Sequence, residues 1–214
     1  PNNPSVIFAG YEGVYRSANR GDTWSLLSTP VPGAKINYLA VAPSNSSTIY
    51  IGYLDAVFRS TNGGMSWLNV TGTLPTNTVY ISGLQVDPTD ANALFVTLSG
   101  YAIGQKVYIT ADGGSTWTNV SGNGLPNVPV NCAEVDPAAG EVYIGTDAGV
   151  YKYDGEVNDW VEDNQGLPNV VVTDLDLQHG SGLLRAGTFG RGLWETSVLS
   201  VGVDHMSAQD AITV

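Results

Sequence analysis

The stretch that decides the fold is "YITADGGSTWTNV" at residues 108–120. Two other stretches follow the same frame, "YRSANRGDTWSLL" at 15–27 and "FRSTNGGMSWLNV" at 58–70, and a degenerate fourth copy, "YKYDGEVNDW", ends at Trp160. The shared pattern is Ser/Thr-x-Asn/Asp-x-Gly-x-Ser/Thr-Trp. Its tryptophans recur after 43, 50 and 43 residues. A period of this size indicates a solenoid, a propeller or an array.

Each repeat contains four short runs that are typical of β-strands. In the first complete unit, residues 36–42 ("INYLAVA") alternate between apolar and polar side chains, and "TIYIGY", "AVFRST" and "SWLNV" follow, separated by turn residues. The connections are too short for the helices that parallel strands would need. We therefore predict an all-β fold, a β-propeller with one four-stranded antiparallel blade per repeat.

The repeated box has the composition of a tight turn between the third and fourth strands of a blade. Its hydroxyl and its Asn or Asp side chain can bind nearby backbone N–H groups, its glycine tolerates positive φ, and its tryptophan supplies apolar contact. A calcium loop would need more carboxylates, and a phosphate loop would need a Gly-Lys-Ser/Thr sequence before a helix. The predicted structural positions are Ser17, Asn19, Gly21, Trp24, Ser60, Asn62, Gly64, Trp67, Thr110, Asp112, Gly114 and Trp117.

At these positions the chain resembles the Asp-box, or BNR-repeat, propeller family. That family includes sialidases, sortilin-like receptors, xyloglucan-degrading propellers and photosystem assembly factors, and the resemblance extends over about residues 1–196. In the family the box lies on the outer part of a blade, away from the ligand face. The resemblance therefore implies a structural role for the box.

The strand count predicts an incomplete ring. The blades have predicted bounds 1–29 (partial), 35–72, 78–121, 128–163 and 170–196 (partial). They contain three, four, four, four and three strands, or 18 in all. The first unit lacks its opening strand, and the last has no box. We therefore expect about four to five blades from the C-terminal part of a larger propeller, whose upstream remainder is the expected partner.

The segment 197–214 breaks the period and is predicted to be a linker or the start of a C-terminal domain. The step from "TFGRGLWE" into this segment resembles exported bacterial proteins in which a propeller precedes a type IX secretion sorting domain. We therefore expect a secreted or cell-surface bacterial protein.

Composition excludes several classes of function. The formal net charge is −12, with only eight Lys and Arg residues, so nucleic acid is not an expected partner. No apolar run is long enough to span a membrane, and direct membrane insertion is not expected. The acidic balance also disfavours an assembly factor that needs a basic patch.

Candidate ligand-binding residues fall in the loops between the second and third strands, at 10–13, 52–56, 99–105, 145–149 and 187–192. Aromatic side chains there could stack on sugar rings or could pack blade against blade. The predicted ligand-face residues are Tyr11, Tyr53, Asp55, Tyr101, Asp147, Phe189 and Arg191.

Three carboxylates on inner strands, Glu134, Asp174 and Asp176, are candidates for lining the central channel. Glycoside hydrolysis needs two carboxylates across a cleft, and no residue is assigned a catalytic role. The five arginines do not form the cluster that a sialidase needs for its substrate. Because His179, His205 and Cys132 are the only imidazole and thiol ligands, we expect no metal and no cofactor.

Two functions remain open. The first is a non-catalytic, exported propeller module that binds a glycan or a surface protein. The second is a fragment of a glycoside hydrolase that resembles the xyloglucanase group, with carboxylates divided between this segment and other blades.

Overall fold

The computed structural model describes residues 3–164, 166–178 and 181–198. These residues form 18 β-strands in five antiparallel sheets of three, four, four, four and three strands, and they contain no helix. The predicted all-β propeller fold is therefore confirmed, and the five sheets form part of a ring. We call the sheets blades 1–5 in chain order.

The strands are, by blade, β1 (Ile7–Gly10), β2 (Val14–Ser17) and β3 (Ser25–Ser28); β4 (Tyr38–Val41), β5 (Ile49–Gly52), β6 (Val57–Ser60) and β7 (Leu68–Asn69); β8 (Ile81–Val86), β9 (Leu94–Leu98), β10 (Val107–Thr110) and β11 (Thr118–Asn119); β12 (Val130–Asp136), β13 (Glu141–Thr146), β14 (Gly149–Asp154) and β15 (Asp159–Glu162); β16 (Val172–Gln178), β17 (Leu183–Thr188) and β18 (Gly192–Ser197).

Within each blade the strands pair in chain order, because tight turns join each strand to the next. The inner strands β8, β12 and β16 each carry a register shift near their start, at Ser82, Asn131 and Thr173. Ser82 Oγ donates a hydrogen bond to the Val130 carbonyl, and Asn131 Nδ2 donates one to the Val172 carbonyl. These bulges therefore link successive inner strands.

The hydrophobic core is divided into four clusters, one between each pair of consecutive blades. Between blades 2 and 3, for example, Val57 and Val70 pack with Ile81, Leu94 and Val96. Burial of apolar area contributes about 25 cal/mol per Å², so each junction stabilises both of its blades. A blade exposes apolar surface wherever it has no neighbour.

Parts of the sequence predictions lie outside the described residues. These are residues 199–214, with the predicted linker and sorting signal, and the two histidines, His179 and His205. The exact bounds of the blades remain predictions. No helix in the described ranges is long and apolar enough to cross a membrane.

Candidate functional site

The box positions form a closed network of hydrogen bonds at each turn. In blade 3 the Thr110 hydroxyl accepts a hydrogen bond from the Gly114 backbone N–H at 2.9 Å and donates one to Asp112 Oδ1 at 2.7 Å. The Asp112 carboxylate also accepts bonds from the backbone N–H and the hydroxyl of Thr116. The other contacts recur for Ser17, Asn19, Gly21 and Thr23, and for Ser60, Asn62, Gly64 and Ser66, but in these two boxes the Asn Nδ2 donates to the hydroxyl of Thr23 or Ser66.

Burial by itself would raise the pKa of Asp112, but the hydrogen bonds from Thr116 and Thr110 hold it at about 2. The carboxylate therefore stays ionised as an acceptor for the turn. Because the Asp112 carboxylate oxygens accept hydrogen bonds from groups of the same turn, the box has a structural role.

Three of these tryptophans each connect their blade to the preceding one. Trp67 Nε1 donates a hydrogen bond to Ser28 Oγ at 2.8 Å, and Trp117 Nε1 donates one to the Val70 carbonyl at 2.8 Å. In the degenerate fourth copy, Trp160 Nε1 donates to the Val120 carbonyl at 2.7 Å. The tryptophan therefore joins adjacent blades rather than facing a ligand.

The loops between second and third strands lie beside the starts of the inner strands. The Ile36 N–H donates to the Tyr11 carbonyl, the Ile81 N–H to the Leu54 carbonyl, and the Phe189 N–H to the Val171 carbonyl. All of these loops therefore lie along one edge of the blades, which we call the inner-loop edge. The predicted ligand-face residues belong to this edge.

A concavity of about 760 Å³ lies at this edge, where the connection between blades 1 and 2 (residues 31–37) meets the 53–58 segment of blade 2. Its lining combines aromatic, apolar and polar side chains. The residues that line it are Val31, Ala34, Lys35, Asn37, Tyr53, Leu54, Asp55, Ala56, Phe58 and Tyr80. We call this concavity the blade 1–2 groove.

Two of the predicted ligand-face residues, Tyr53 and Asp55, line the groove. Tyr53 is buried and packs edge-on against Phe58, with ring centroids 5.7 Å apart. Its hydroxyl lies beside the Val31 backbone without a hydrogen bond of normal geometry. Asp55 is exposed. Tyr53 thus forms part of the groove wall, and its hydroxyl oxygen is buried.

Tyr11 is exposed next to the groove, and the Lys35 ammonium lies 5.2 Å from the centroid of its ring. A cation over an aromatic face is attracted by the ring quadrupole. This contact orients the Tyr11 ring beside a groove-lining lysine.

The remaining ligand-face residues lie on blades 3 to 5. Tyr101 and Phe189 are exposed, as is Arg191. Asp147 is half-buried, and its Oδ1 accepts a hydrogen bond from Asn131 Nδ2 at 3.0 Å. The Asp147 carboxylate is therefore bound by a residue of an inner strand. None of these residues lines the blade 1–2 groove.

The three channel acids are brought together on adjacent inner strands. Glu134 lies on β12, and Asp174 and Asp176 lie on β16. Burial, together with the negative charges of Asp176, Asp174 and Asp136, raises the pKa of Glu134 to about 8. Arg185 Nη1 lies 3.9 Å from Asp176 Oδ2. Glu134 is therefore protonated at neutral pH.

This shift predicts a pH-dependent stability. Because folding raises the pKa of Glu134, protonation of this carboxyl group stabilises the folded state. The stabilisation is complete below the unfolded pKa of about 4.3 and is lost as pH rises through about 8. At pH 9, we expect Glu134→Gln to be more stable than the parent by several kcal/mol, about 5 at most, because each unit of the pKa shift is worth about 1.4 kcal/mol and glutamine leaves no buried charge. At pH 4 the two proteins should unfold together in chemical denaturation. A difference independent of pH would contradict the prediction.

Sequence reasoning missed Lys35, Asn37, Leu54 and Tyr80 as groove residues. Tyr80 lies directly before β8 and outside the loops between second and third strands from which the ligand-face residues were chosen. A large aromatic residue just before an inner strand was the available sequence signal. No group of three or more potential metal ligands occurs in the described part of the chain.

Comparison with known proteins places the fold in a family. Residues 12–150, more than half of the chain, match the family model Sortilin-Vps10, described as sortilin, neurotensin receptor 3. The chain belongs to the Sortilin-Vps10 family. The predicted Asp-box propeller family is therefore confirmed at this level.

This Sortilin-Vps10 chain is also similar to two xyloglucanases. It is 29% identical over 189 residues to one from Hypocrea jecorina (strain QM6a), covering 72% of this chain and 21% of the relative. It is 30% identical over 172 residues to one from Paenibacillus sp, covering 68% of this chain and 17% of the relative. The chain thus spans about a fifth of the length of these relatives.

Among solved structures, the Sortilin-Vps10 chain is similar to an ancestral GH74 enzyme. The TM-score is 0.65 at 25% sequence identity, and the match covers 88% of this chain and 26% of that enzyme. The chain is therefore a glycoside hydrolase-like propeller segment.

Proposed function

We propose that this chain is part of a polysaccharide-degrading propeller protein and that its blade 1–2 groove binds the glycan. The observation that carries the proposal is the groove itself, because it lies on the inner-loop edge of a propeller similar to two xyloglucanases. The proposal therefore favours the hydrolase-fragment hypothesis over a purely non-catalytic module.

The chemistry of the groove suits a sugar chain. Tyr80 lines the groove and is exposed, and Tyr11 is exposed beside it, so each offers an aromatic ring on which the apolar face of a sugar ring can stack. Asp55, Asn37 and Lys35 offer acceptors and donors for sugar hydroxyls. A few polar groups among apolar walls are the usual composition of a ligand site.

The groove is built for binding rather than for cleavage. Hydrolysis requires two carboxylates on opposite sides of the glycosidic bond, and Asp55 is the one carboxylate in the groove lining. Glu134, a potential proton donor because its pKa is raised, and the nearby Asp174 are the other candidate carboxyl groups. They lie on blades 4 and 5, away from the groove. Cleavage by the whole protein would therefore involve other carboxylates.

We predict that Tyr80→Ala weakens xyloglucan binding about tenfold, because loss of one stacked ring removes roughly 1.4 kcal/mol. The measurement is isothermal titration of the natural full-length protein with xyloglucan oligosaccharides. Met65→Ala is the matched control, since Met65 is similarly exposed but lies in a box turn. Equal affinities for the two variants would contradict the groove assignment, and absence of any glycan binding would contradict the proposed function.

A second candidate function is docking of a surface protein, and one observation favours it. The exposed side chains of Leu54, Tyr80, Tyr101 and Ile103 lie on loops of the inner-loop edge in blades 2 and 3. Large apolar side chains exposed together often mark protein contacts. Release of reducing sugar by the natural protein would favour the hydrolase, and its absence with retained protein binding would favour this alternative.

We propose that the protein is exported, because a polysaccharide does not enter a cell and is therefore bound outside it. The single cysteine, Cys132, is half-buried, and burial raises the pKa of its thiol to about 12, so the thiol is unreactive and gives no indication of the redox compartment. The net charge of −12 supports a partner other than nucleic acid.

We also propose that the remainder of the propeller covers blade 5. Leu193 is 69% exposed, although it lies at or next to the start of its third strand, as four buried valines do in the other blades. Those valines are Val14, Val57, Val107 and Val150. Each packs in the cluster that its blade shares with the next. A further blade would bury Leu193 in the same way.

A further inference from the structure

A second concavity lies between blades 1 and 2, at the edge where the box turns lie and opposite the inner-loop edge. Its volume is about 410 Å³, which is within the usual range of small-molecule sites. It shares no lining residue with the blade 1–2 groove. We call it the box-edge pocket. Its polar and aromatic lining consists of Asn3, Phe8 and Arg16 on the side of blade 1, and of Ser46, Ser47 and Gly63 on the side of blade 2.

At the next junction, the position that corresponds to this pocket is filled by a paired arginine. Strand register places Arg16 opposite Phe8, as it places Arg59 opposite Tyr50. The Arg59 guanidinium donates a hydrogen bond to Asn92 Oδ1 of blade 3 and lies 5.8 Å from the centroid of the Tyr50 ring. The arginine of blade 2 therefore has an acceptor in the following blade.

The acceptor that blade 3 supplies is replaced in the box-edge pocket by a shorter side chain. The Gly63 N–H donates to the Ser47 carbonyl as the Gly113 N–H donates to the Asn92 carbonyl, so Ser47 corresponds to Asn92. Arg16 is half-buried, and among the described residues its guanidinium has no hydrogen-bond or ion-pair partner. A cation that lines a pocket without a partner is a ready binding group for an anion.

The box glycines show the same difference from the side of the following blade. A methyl group added to Gly113 would lie 2.0 Å from Arg59 Nη1, so the Arg59 guanidinium covers this glycine. Beyond its chain neighbours, Gly63 has no atom within 4 Å of the corresponding point. The box-edge pocket is therefore the space that a paired guanidinium occupies at the junction of blades 2 and 3.

We infer that the box-edge pocket binds a small organic carboxylate of the size of a sugar acid, with Arg16 as its anion-binding group. A guanidinium can hold a carboxylate by two parallel hydrogen bonds. The hydroxyls of Ser46 and Ser47 and the amide of Asn3 can bind hydroxyl groups of the ligand, and Phe8 supplies an apolar wall. One cation on a chain of net charge −12 favours a singly charged anion over a phosphate. The inference does not depend on glycan binding in the blade 1–2 groove.

The experiment is modification of the natural full-length protein with phenylglyoxal, which reacts with accessible guanidinium groups. Peptide mass spectrometry gives the rate at each arginine, and glucuronate, the probe, replaces chloride at constant ionic strength. We expect saturating glucuronate to slow modification of Arg16 about tenfold or more, because a bound carboxylate engages its N–H groups. Arg20 is exposed in the box of blade 1 and does not line the pocket, so its rate should change less than about twofold.

Glucose is the matched control ligand, since it has a similar ring without the carboxylate, and it should not protect Arg16. Equal protection of Arg16 and Arg20 by glucuronate would indicate a non-specific effect, and equal protection of Arg16 by glucose would show that the carboxylate is not recognised. Failure of Arg16 to react in the absence of glucuronate would show that its guanidinium is already paired. Each of these three results would overturn the inference.

The Ser47→Asn variant tests the pocket from the opposite side. It gives Arg16 the acceptor that Asn92 gives Arg59, so Arg16 should react more slowly without glucuronate and should gain little further protection from it. Ser44→Asn is the matched control, because Ser44 is exposed in the same loop and does not line the pocket. Protection of Arg16 in Ser47→Asn equal to that in the parent would overturn the inference.

Discussion

Replacement of Trp160 with alanine is expected to lower the free energy of unfolding by about 3–5 kcal/mol. The side chain is only 2% exposed and packs in the cluster between blades 3 and 4. Its ring meets Tyr153 edge-on with centroids 5.5 Å apart, and its indole N–H donates to the Val120 carbonyl. Truncation would leave a cavity and an unsatisfied carbonyl at the same junction. Chemical denaturation of the natural protein measures the loss.

Two further variants separate the contributions to this loss. Trp160→Phe keeps a ring and removes the N–H donor, so about 1–2 kcal/mol should be lost. Met65→Ala removes a side chain of similar apolar character that is 69% exposed and should change stability by less than about 0.5 kcal/mol. If Trp160→Ala and Met65→Ala unfold at the same denaturant concentration, Trp160 does not hold blades 3 and 4 together.

Gly114→Ala is expected to destabilise the protein by about 2–4 kcal/mol. Gly114 has a φ of +91°, which L side chains rarely adopt. A Cβ at this position would also lie 2.6 Å from Val70 Cβ in the preceding blade. Since Val70 is buried and cannot move freely, both backbone strain and overlap contribute. The loss is measured by thermal and chemical denaturation of the natural protein.

Gly63→Ala is the matched control for the overlap. Gly63 lies in the box of blade 2 and has a φ of +71°, but beyond its chain neighbours no atom lies within 4 Å of the point that an alanine methyl group would occupy. Only backbone strain should remain, at a cost of about 1 kcal/mol. Equal destabilisation by the two alanines would mean that the close approach to Val70 does not limit the residue at position 114.

The sequence pattern was sufficient for the fold because the information is local and repeated. The hydroxyl, carboxamide or carboxylate, and glycine of a box lie within five residues, as Ser60, Asn62 and Gly64 do, and they bind one another. Alternation of apolar and polar residues predicted the strands, and the period predicted one blade per unit. The 18 strands of the structure follow that pattern.

The candidate site could be predicted only in part. Tyr53 and Asp55 were identified because they occupy a repeated loop position, and both line the groove. Tyr80 and Lys35 do not recur at equivalent positions, so periodicity gave no reason to select them. Asp147 was selected by the same loop rule, but Asn131 binds its carboxylate. A repeated loop position locates an edge of the blade, and the side chains around it decide whether a ligand can reach it.

The amino-acid sequence by itself determined the strand order, the box turns and the position of each tryptophan, since these depend on contacts between residues close in the chain. Only the tertiary structure decided which loops line the blade 1–2 groove and why the pKa of Glu134 is raised. Each of these depends on two blades that meet through residues tens of positions apart. Side chains from both blades determine the burial and the charge at such a junction, and the sequence of a single repeat contains only one of the two blades.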